Sequence, residues 1–195
     1  MKKLIIATNN SGKVKEIKRL LDGYDYEVLS LKDIGVDIDV EETGNSFEEN
    51  SIIKARAIHK IVGGLVVADD SGLEVDFLNG APGVYSARFM DNASDERKYE
   101  GILALLDGIP DIYRSARFRC VACLVTDTEE ITFSGAIEGK IAFEPKGNNG
   151  FGYDPVFFVP EYQKTMAQLD SDTKNRISHR GKAFELLATK LKNRS

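Results

Sequence analysis

The sequence lacks long apolar runs and has no excess of positive charge. No stretch approaches the ~20 apolar residues that a helix needs to span a bilayer, and the early apolar stretch, residues 4–7, is too short for the core of a signal peptide. Lys and Arg number 26 and Asp and Glu number 31, so the net charge is −5. An acidic chain is poorly suited to the phosphate neutralisation that drives binding to nucleic-acid polymers. We therefore expect a cytoplasmic protein that binds neither a membrane nor a nucleic-acid polymer.

Cysteine is also scarce, and the two cysteines lie only three residues apart. A C-x-x-C spacing can indicate zinc or redox chemistry, but Cys120 and Cys123 fall in residues 115–125, whose pattern predicts a strand. Residues three apart on a strand point to opposite faces of a sheet, and the sequence offers no second pair of ligands for zinc. We predict that both thiols act as small buried hydrophobic side chains.

The order of the apolar segments predicts a single α/β domain that covers residues 1–195. With 195 residues and 42% hydrophobic content, the chain can bury a full core. Strand and helix patterns alternate along the first half. Two long strands, near 115–126 and 130–142, then form a hairpin, and a helix lies near the C-terminus. We expect a mixed sheet in two lobes with a central cleft.

Two adjacent carboxylates follow a predicted buried strand. Residues 65–68 read Leu-Val-Val-Ala and predict a central strand that ends at Asp69 and Asp70, before Ser71 and Gly72. Charges at a buried strand end cost several kcal/mol unless they are paired or metal-bound, and ligands of open α/β sheets bind beyond the carboxyl ends of strands. The run therefore indicates a site for a divalent cation and an anionic substrate. The same residue types also favour an ordinary polar turn, and this run alone does not decide between the two.

The first predicted strand leads into a turn that could bind phosphate. This turn, residues 8–13, ends with Gly12 and Lys13 at a predicted helix start. The Walker A pattern fails because Val14 stands where that motif needs Ser or Thr, and Ala7 stands where it needs its first glycine. A helix start still offers amide donors and the positive end of the helix dipole. The turn is predicted either to bind phosphate or simply to cap the helix.

An acidic loop adds two more carboxylates to the candidate site. Glu41 and Glu42, with Asp69 and Asp70, could form the all-oxygen type of site that Mg²⁺ prefers. The alternative is a solvated acidic loop. Lys54, on the helix that follows, could point toward the same site or toward solvent.

A glycine-rich loop and a short polar motif complete the candidate features. Residues 147–155 hold three glycines, a proline and two aromatic residues. Such a backbone can present a ring for a base to stack on, or it can be a tight turn whose rings fill the core. His179 and Arg180 follow Ser178, and they could contact a base or a phosphate or serve only the fold.

Together these motifs resemble the inosine/xanthosine triphosphate pyrophosphatase family, whose members remove nonstandard purine nucleotides. Each motif is weak by itself, but their succession in order over nearly the whole chain is specific. The matching stretches are residues 8–13, 41–44 with 46–50, 54–55, 68–73, 80–88, 151–155 and 178–180.

The resemblance implies Mg²⁺-dependent hydrolysis of ITP, dITP and XTP to the monophosphate and pyrophosphate by a two-lobed homodimer. It implies that Asp70 is the general base and that Glu41 and Asp70 hold the metal, although the sequence does not separate Glu41 from Glu42 or Asp69 as a ligand. His179 and Arg180 would read the purine. The other implied substrate-binding residues are Thr8, Asn9, Asn10, Ser11, Gly12, Lys13, Lys54, Ser71, Phe151, Gly152, Tyr153, Asp154 and Lys174.

Two other functions compete with this interpretation. One is a Maf-type pyrophosphatase that prefers modified pyrimidine nucleotides, which the loop at Phe151 and the motif at residues 178–180 argue against. The other is a nucleotide-binding sensor without turnover, which the pair Asp69 and Asp70 disfavours because binding alone does not require a base.

Overall fold

The computed structural model describes residues 2–193, which form a mixed α/β fold around one seven-stranded sheet. The strand order across the sheet is β2-β1-β3-β4-β5-β6-β7. The strands are β1 (Lys2–Ile6), β2 (Tyr26–Ser30), β3 (Leu65–Val75), β4 (Ser115–Val125), β5 (Glu130–Ile141), β6 (Phe157–Val159) and β7 (Lys164–Thr165). The predicted α/β class with a mixed sheet is confirmed.

Six α-helices lie within the described residues, and none of them is long and apolar enough to cross a membrane. Asn10 caps the first helix and Ser46 caps the second, each by accepting a backbone N–H of the first turn. The helices are α1 (Ser11–Leu20), α2 (Phe47–Val62), α3 (Phe89–Asn92), α4 (Asp95–Leu105), α5 (Ser171–Ile177) and α6 (His179–Lys192).

The chain divides into two compact units, each with its own apolar core. Within the described residues, the first unit comprises residues 2–70, 120–135 and 179–193, and the second comprises residues 71–119 and 136–178. In the first unit, Leu4 and Ile6 pack with residues of α1 and α6, whereas Ile5 packs with residues of α2. Strand β1 is therefore buried on both faces, as parallel strands between two helix layers usually are. The central cleft expected from the sequence stays a prediction.

The order of the first three strands places a switch point beside the acidic pair. Strand β1 runs parallel to β2 on one side and to β3 on the other. Its last ladder partner in β3 is Val67, which also accepts a bond of 2.7 Å from the amide of Ala7. Asp69 and Asp70 thus follow one residue, Ala68, beyond the end of the β1 ladder. In open α/β sheets, ligands bind at the carboxyl ends of the strands, at the point where the strand order reverses direction across the sheet.

The prediction that the strand ends at Asp69 is wrong. Strand β3 continues without a break through Ser71 and Gly72 to Val75. Leu73 and Val75 are completely buried in the core of the second unit, so burial keeps the chain extended through residues that locally favour a turn. The acidic pair therefore lies within a long strand, at the point where its parallel neighbour has already ended.

The hairpin and the cysteines agree with the sequence analysis. Strands β4 and β5 begin and end within one residue of the predicted bounds, and the turn between them is closed by a bond of 2.9 Å from the Thr126 amide to the Glu129 carbonyl. Cys120 and Cys123 are free and completely buried, and they belong to different core clusters. Their predicted structural role and opposite orientation are confirmed.

Candidate active site

Asp70 is held among polar groups of the first unit. Its side chain is nearly buried, with 5% of the residue exposed. The Asn50 amide donates to its Oδ2 at 3.2 Å, and Lys54 Nζ lies 3.4 Å from its Oδ1. The same ammonium also contacts Glu42 Oε1 at 2.6 Å. Burial, together with the nearby Glu42 charge, raises the pKa of Asp70 above its usual range, although Lys54, Lys13 and Asn50 oppose the shift.

Asp69, the adjacent residue, lies in a cationic environment. It is completely buried, and its Oδ2 is 3.1 Å from Lys13 Nζ and 3.2 Å from both Nε and Nη2 of Arg180. Burial alone would raise the pKa of Asp69, but the charges of Lys13, Arg180 and Lys54 outweigh burial and hold that pKa well below its usual range. Asp69 is therefore a permanently charged carboxylate at neutral pH.

The pKa values of the two neighbouring carboxyl groups are thus shifted in opposite directions, downward for Asp69 and upward for Asp70. Strand geometry sends consecutive side chains to opposite faces of the sheet, so Asp69 meets Arg180 of α6 while Asp70 meets Lys54 of α2. A pair of carboxyl groups with opposite shifts is a pattern by which acid–base roles can be assigned. Asp70 is therefore the carboxyl group whose pKa is raised, and Asp69 is a charged partner of Lys13 and Arg180.

The turn for which the sequence left phosphate binding and helix capping open lies at the start of α1. The helix begins at Ser11, where Asn10 Oδ1 accepts the Lys13 amide at 3.0 Å and closes the first turn. Ser11, Gly12 and Lys13 form that turn, where amide groups lack partners within the helix. Thr8 and Asn9 precede it. Thr8 Oγ1 accepts the Asn10 amide, and the Asn9 side chain donates to the Ile38 carbonyl. This geometry suits a phosphate group.

The carboxylates near Lys54 suit a divalent metal that is shared with a phosphate ligand. Glu42 and Asp70 both reach one ammonium, whereas Glu41 is exposed. No group of three or more His, Cys, Asp or Glu side chains within residues 2–193 is placed to hold a metal ion. Mg²⁺ in nucleotide enzymes commonly takes only one or two carboxylates, with phosphate oxygens and waters as its other ligands. A carboxylate pair of this kind therefore fits Mg²⁺ without a third protein ligand.

The predicted substrate residues of the second unit form a separate cluster. Lys174 Nζ contacts Asp154 Oδ2 at 2.5 Å, and both residues are almost completely buried. The same carboxylate oxygen accepts the Phe151 amide at 2.9 Å, and the lysine ammonium lies 4.9 Å from the centre of the Phe151 ring. Tyr153 is buried and donates from its hydroxyl to the Ser86 carbonyl. Gly152 lies in this loop between Phe151 and Tyr153, and Ser71 is a half-buried residue of β3.

The motif at residues 178–180 lies at the start of the last helix. Ser178 directly follows α5, a helix that the sequence did not predict, and His179 and Arg180 begin α6. Both side chains are buried, and Arg180 Nη1 contacts Glu16 Oε2 at 2.6 Å in addition to its bonds to Asp69. The structure thus brings Lys13, Asp69 and Arg180 together in one unit.

Two site residues escaped the sequence analysis. Glu16 lies one turn after Lys13 in α1, so the i, i+3 spacing could have indicated that both face the same partners. Asn50 lies in the first turn of α2 and contacts Asp70, which is 20 residues further along the chain. In the sequence, only its place in the Ser-Phe-Glu-Glu-Asn stretch, residues 46–50, connected Asn50 with the candidate site.

Comparison with known proteins agrees with these observations. A model of the Ham1 family matches residues 4–190. The chain is 52% identical to a dITP/XTP pyrophosphatase of Clostridium perfringens, with 98% of both chains covered, and 51% identical to one of Bacillus subtilis, with 96% of both covered. It is also similar to the solved structure of a HAM1 protein from Coxiella burnetii, with a TM-score of 0.89, 44% identity and coverage of 99% of this chain and 100% of that one. The chain belongs to the Ham1 family.

Proposed function

We propose that the chain is a nucleoside triphosphate pyrophosphatase that hydrolyses dITP, ITP and XTP to the monophosphate and pyrophosphate. The observation that carries this proposal is the acidic pair of β3, in which Asp69 is held charged by Lys13 and Arg180 while the pKa of Asp70 is raised. The names of the relatives, dITP/XTP pyrophosphatases at about half identity, support the same activity.

In the proposed reaction, Asp70 accepts a proton from the attacking water. The water oxygen forms a bond to the α-phosphorus, and the bond from that phosphorus to the oxygen shared with the β-phosphate breaks, so that pyrophosphate leaves. Lys54 is 3.4 Å from Asp70, and Lys13 is 3.1 Å from Asp69, so both ammonium groups lie beside the acidic pair. We assign to them the stabilisation of the negative charge that develops on the phosphates.

We propose Mg²⁺ as the cofactor, held by Asp70 and by a carboxylate of the acidic loop. Between Glu41 and Glu42, the contacts favour Glu42, since it shares Lys54 with Asp70. Asp69 is a weaker candidate because its carboxylate contacts Lys13 and Arg180, on the opposite face of β3 from Asp70. When bound, Mg²⁺ neutralises phosphate charge and helps to orient the water.

The remaining predicted residues are assigned to substrate binding. Residues 8–13 would bind the triphosphate at the start of α1, where helix geometry favours anions. The Phe151 ring, with Lys174 against its face, offers a stacking platform for the base. His179 and Arg180 would read the purine, where donors favour the 6-oxo group of hypoxanthine or xanthine over the amine of adenine.

A panel of triphosphates with product identification tests this proposal. The purified chain is incubated with Mg²⁺ and dITP, XTP, dATP, dGTP or a modified pyrimidine triphosphate, and the phosphate products are separated by ion chromatography. We expect pyrophosphate from dITP and XTP and much slower turnover of the standard nucleotides. Orthophosphate as the product, or preference for the pyrimidine, would contradict the proposal. We further propose that the chain works as a homodimer in the cytoplasm, and light scattering in solution tests the dimer.

A further inference from the structure

We propose that Asn50 is a positioning residue that fixes the carboxylate of Asp70 and the acidic loop relative to each other. The proposal rests on the function proposed for Asp70 and extends it to Asn50, a residue of the stretch 46–50 to which the sequence assigned no role. Asn50 is completely buried in the first turn of α2, within the first unit. A completely buried amide side chain is costly unless its donors and acceptors are satisfied.

The hydrogen bonds of Asn50 determine which way its amide points. Its Oδ1 is 2.8 Å from the Gly44 backbone nitrogen, and its Nδ2 is 3.2 Å from Asp70 Oδ2. A backbone N–H can only donate, so the atom that faces it must be the amide oxygen. The amide nitrogen must then face Asp70, where it donates to the carboxylate. The main chain of the acidic loop thus fixes the donor that holds Asp70.

Gly44 is the residue that allows this close approach. A Cβ on Gly44 would lie 2.7 Å from Asn50 Oδ1 and 2.6 Å from Glu49 Cβ, so a larger residue would push the loop away from α2. The neighbouring Asn45 amide is also tied to the helix, through a bond of 2.6 Å to Glu49 Oε2. Two successive amides therefore fasten the loop that carries Glu42 to the first turn of α2.

This arrangement orients the two carboxylates that are proposed to hold the metal. Asn50 engages Oδ2 of Asp70, Lys54 lies against Oδ1, and Lys54 also contacts Glu42. Groups that hydrogen-bond to metal-binding side chains fix their orientation, and replacing such a group typically lowers metal affinity or activity by about 10–100-fold. We expect a loss of this size when Asn50 is replaced.

The test uses two replacements and a matched control. Asn50→Leu has nearly the same shape but removes both hydrogen bonds. Asn50→Asp keeps an acceptor for Gly44 and removes the donor to Asp70. The control is Ser51→Ala, because Ser51 is equally buried in the same turn but its hydroxyl donates only locally, at 2.8 Å, to the Glu48 carbonyl. Mn²⁺ binding without nucleotide is measured by electron paramagnetic resonance, and kcat is measured with dITP and saturating Mg²⁺.

We expect Asn50→Leu to weaken Mn²⁺ binding and lower kcat by about 10-fold or more, and Asn50→Asp to lower kcat by a similar factor. Ser51→Ala should match the wild-type chain in both measurements. Wild-type Mn²⁺ affinity and kcat in Asn50→Leu would overturn the proposal. If Asn50→Leu does not fold by circular dichroism, the kcat of Asn50→Asp decides the question. If the wild-type chain forms no pyrophosphate from dITP, the proposed function fails, while the Mn²⁺ comparison still judges the role of Asn50.

Discussion

Replacing Asp69 by Asn should destabilise the protein strongly, because Asp69 neutralises a buried cluster of charges. The carboxylate is completely buried and contacts both Lys13 and Arg180, and Arg180 itself is only 2% exposed. Arg180 makes two of its hydrogen bonds to Asp69 and a third to Glu16. In the wild-type cluster, two carboxylates therefore balance two cations. Asp69→Asn leaves one carboxylate to balance both cations.

The size of the effect follows from the burial of these groups. Removing one partner of a buried ion pair typically costs about 3–5 kcal/mol. Glu16 stays paired with Arg180, and Lys13 is near enough to the surface, with 13% of its side chain exposed, to be partly hydrated. We therefore expect Asp69→Asn to lower the free energy of unfolding by about 3 kcal/mol, at the lower end of that range. For a chain of this length, such a loss lowers the melting temperature by roughly 6–12 °C.

Thermal melting followed by circular dichroism measures this loss, with Asp127→Asn as the control. The Asp127 side chain is 78% exposed and its Oδ1 lies 3.4 Å from His59 Nε2, so removing its charge should cost less than about 1 kcal/mol. An Asp69→Asn variant that melts within a degree or two of the control variant would refute the view that Asp69 is an essential buried counter-ion.

Three further predictions concern other parts of the chain. The Lys18 ammonium beside Asp33 and the Ser30 amide hold the pKa of Asp33 well below its usual range. The Asp33 carboxylate therefore stabilises the folded protein fully above about pH 4, and this contribution is lost as the pH falls further. The gap in urea midpoint between wild type and Asp33→Asn should therefore shrink between pH 7 and pH 2, and a constant gap would contradict this. Burial raises the pKa of Cys123 to about 12 and also raises that of Cys120, so Ellman's reagent should label two thiols in urea and almost none in the native protein. Gly150 has a φ of +78°, and an added Cβ would clash with the Asp154 carboxylate that pairs with Lys174. Gly150→Ala should therefore lower the free energy of unfolding by about 1–3 kcal/mol and raise the KM for dITP. An unchanged KM would argue against a substrate role for this loop.

The sequence predicted those parts of the fold that depend on local patterns. Apolar alternation was sufficient to place the strands of the hairpin within one residue and to assign Cys120 and Cys123 to opposite faces. It failed at Ser71 and Gly72, which favour a turn by local chemistry. The burial of Leu73 in the core of the second unit helps to keep that segment extended, and no local pattern reveals such a contact.

The same limit applies to the candidate site. The sequence indicated that Asp69 and Asp70 were special, but it could not assign them different roles. The difference arises because alternate strand faces meet different helices, so that Arg180, 111 residues further along the chain, contacts Asp69 while Asn50 contacts Asp70. The preference for Glu42 over Glu41 likewise depends on which side chain reaches Lys54. The proposed roles of these side chains thus rest on contacts between distant parts of the chain, which sequence spacing does not encode.

The products formed from dITP by the wild-type chain and by Asp70→Asn test the proposed reaction and its general base together. With Mg²⁺ present, we predict that the wild-type chain releases dIMP and pyrophosphate in equal amounts. Asp70→Asn should still bind dITP but lose most of its turnover, because an amide cannot accept the proton of the attacking water. Release of orthophosphate by the wild-type chain, or an unchanged kcat in Asp70→Asn, would contradict the proposed mechanism.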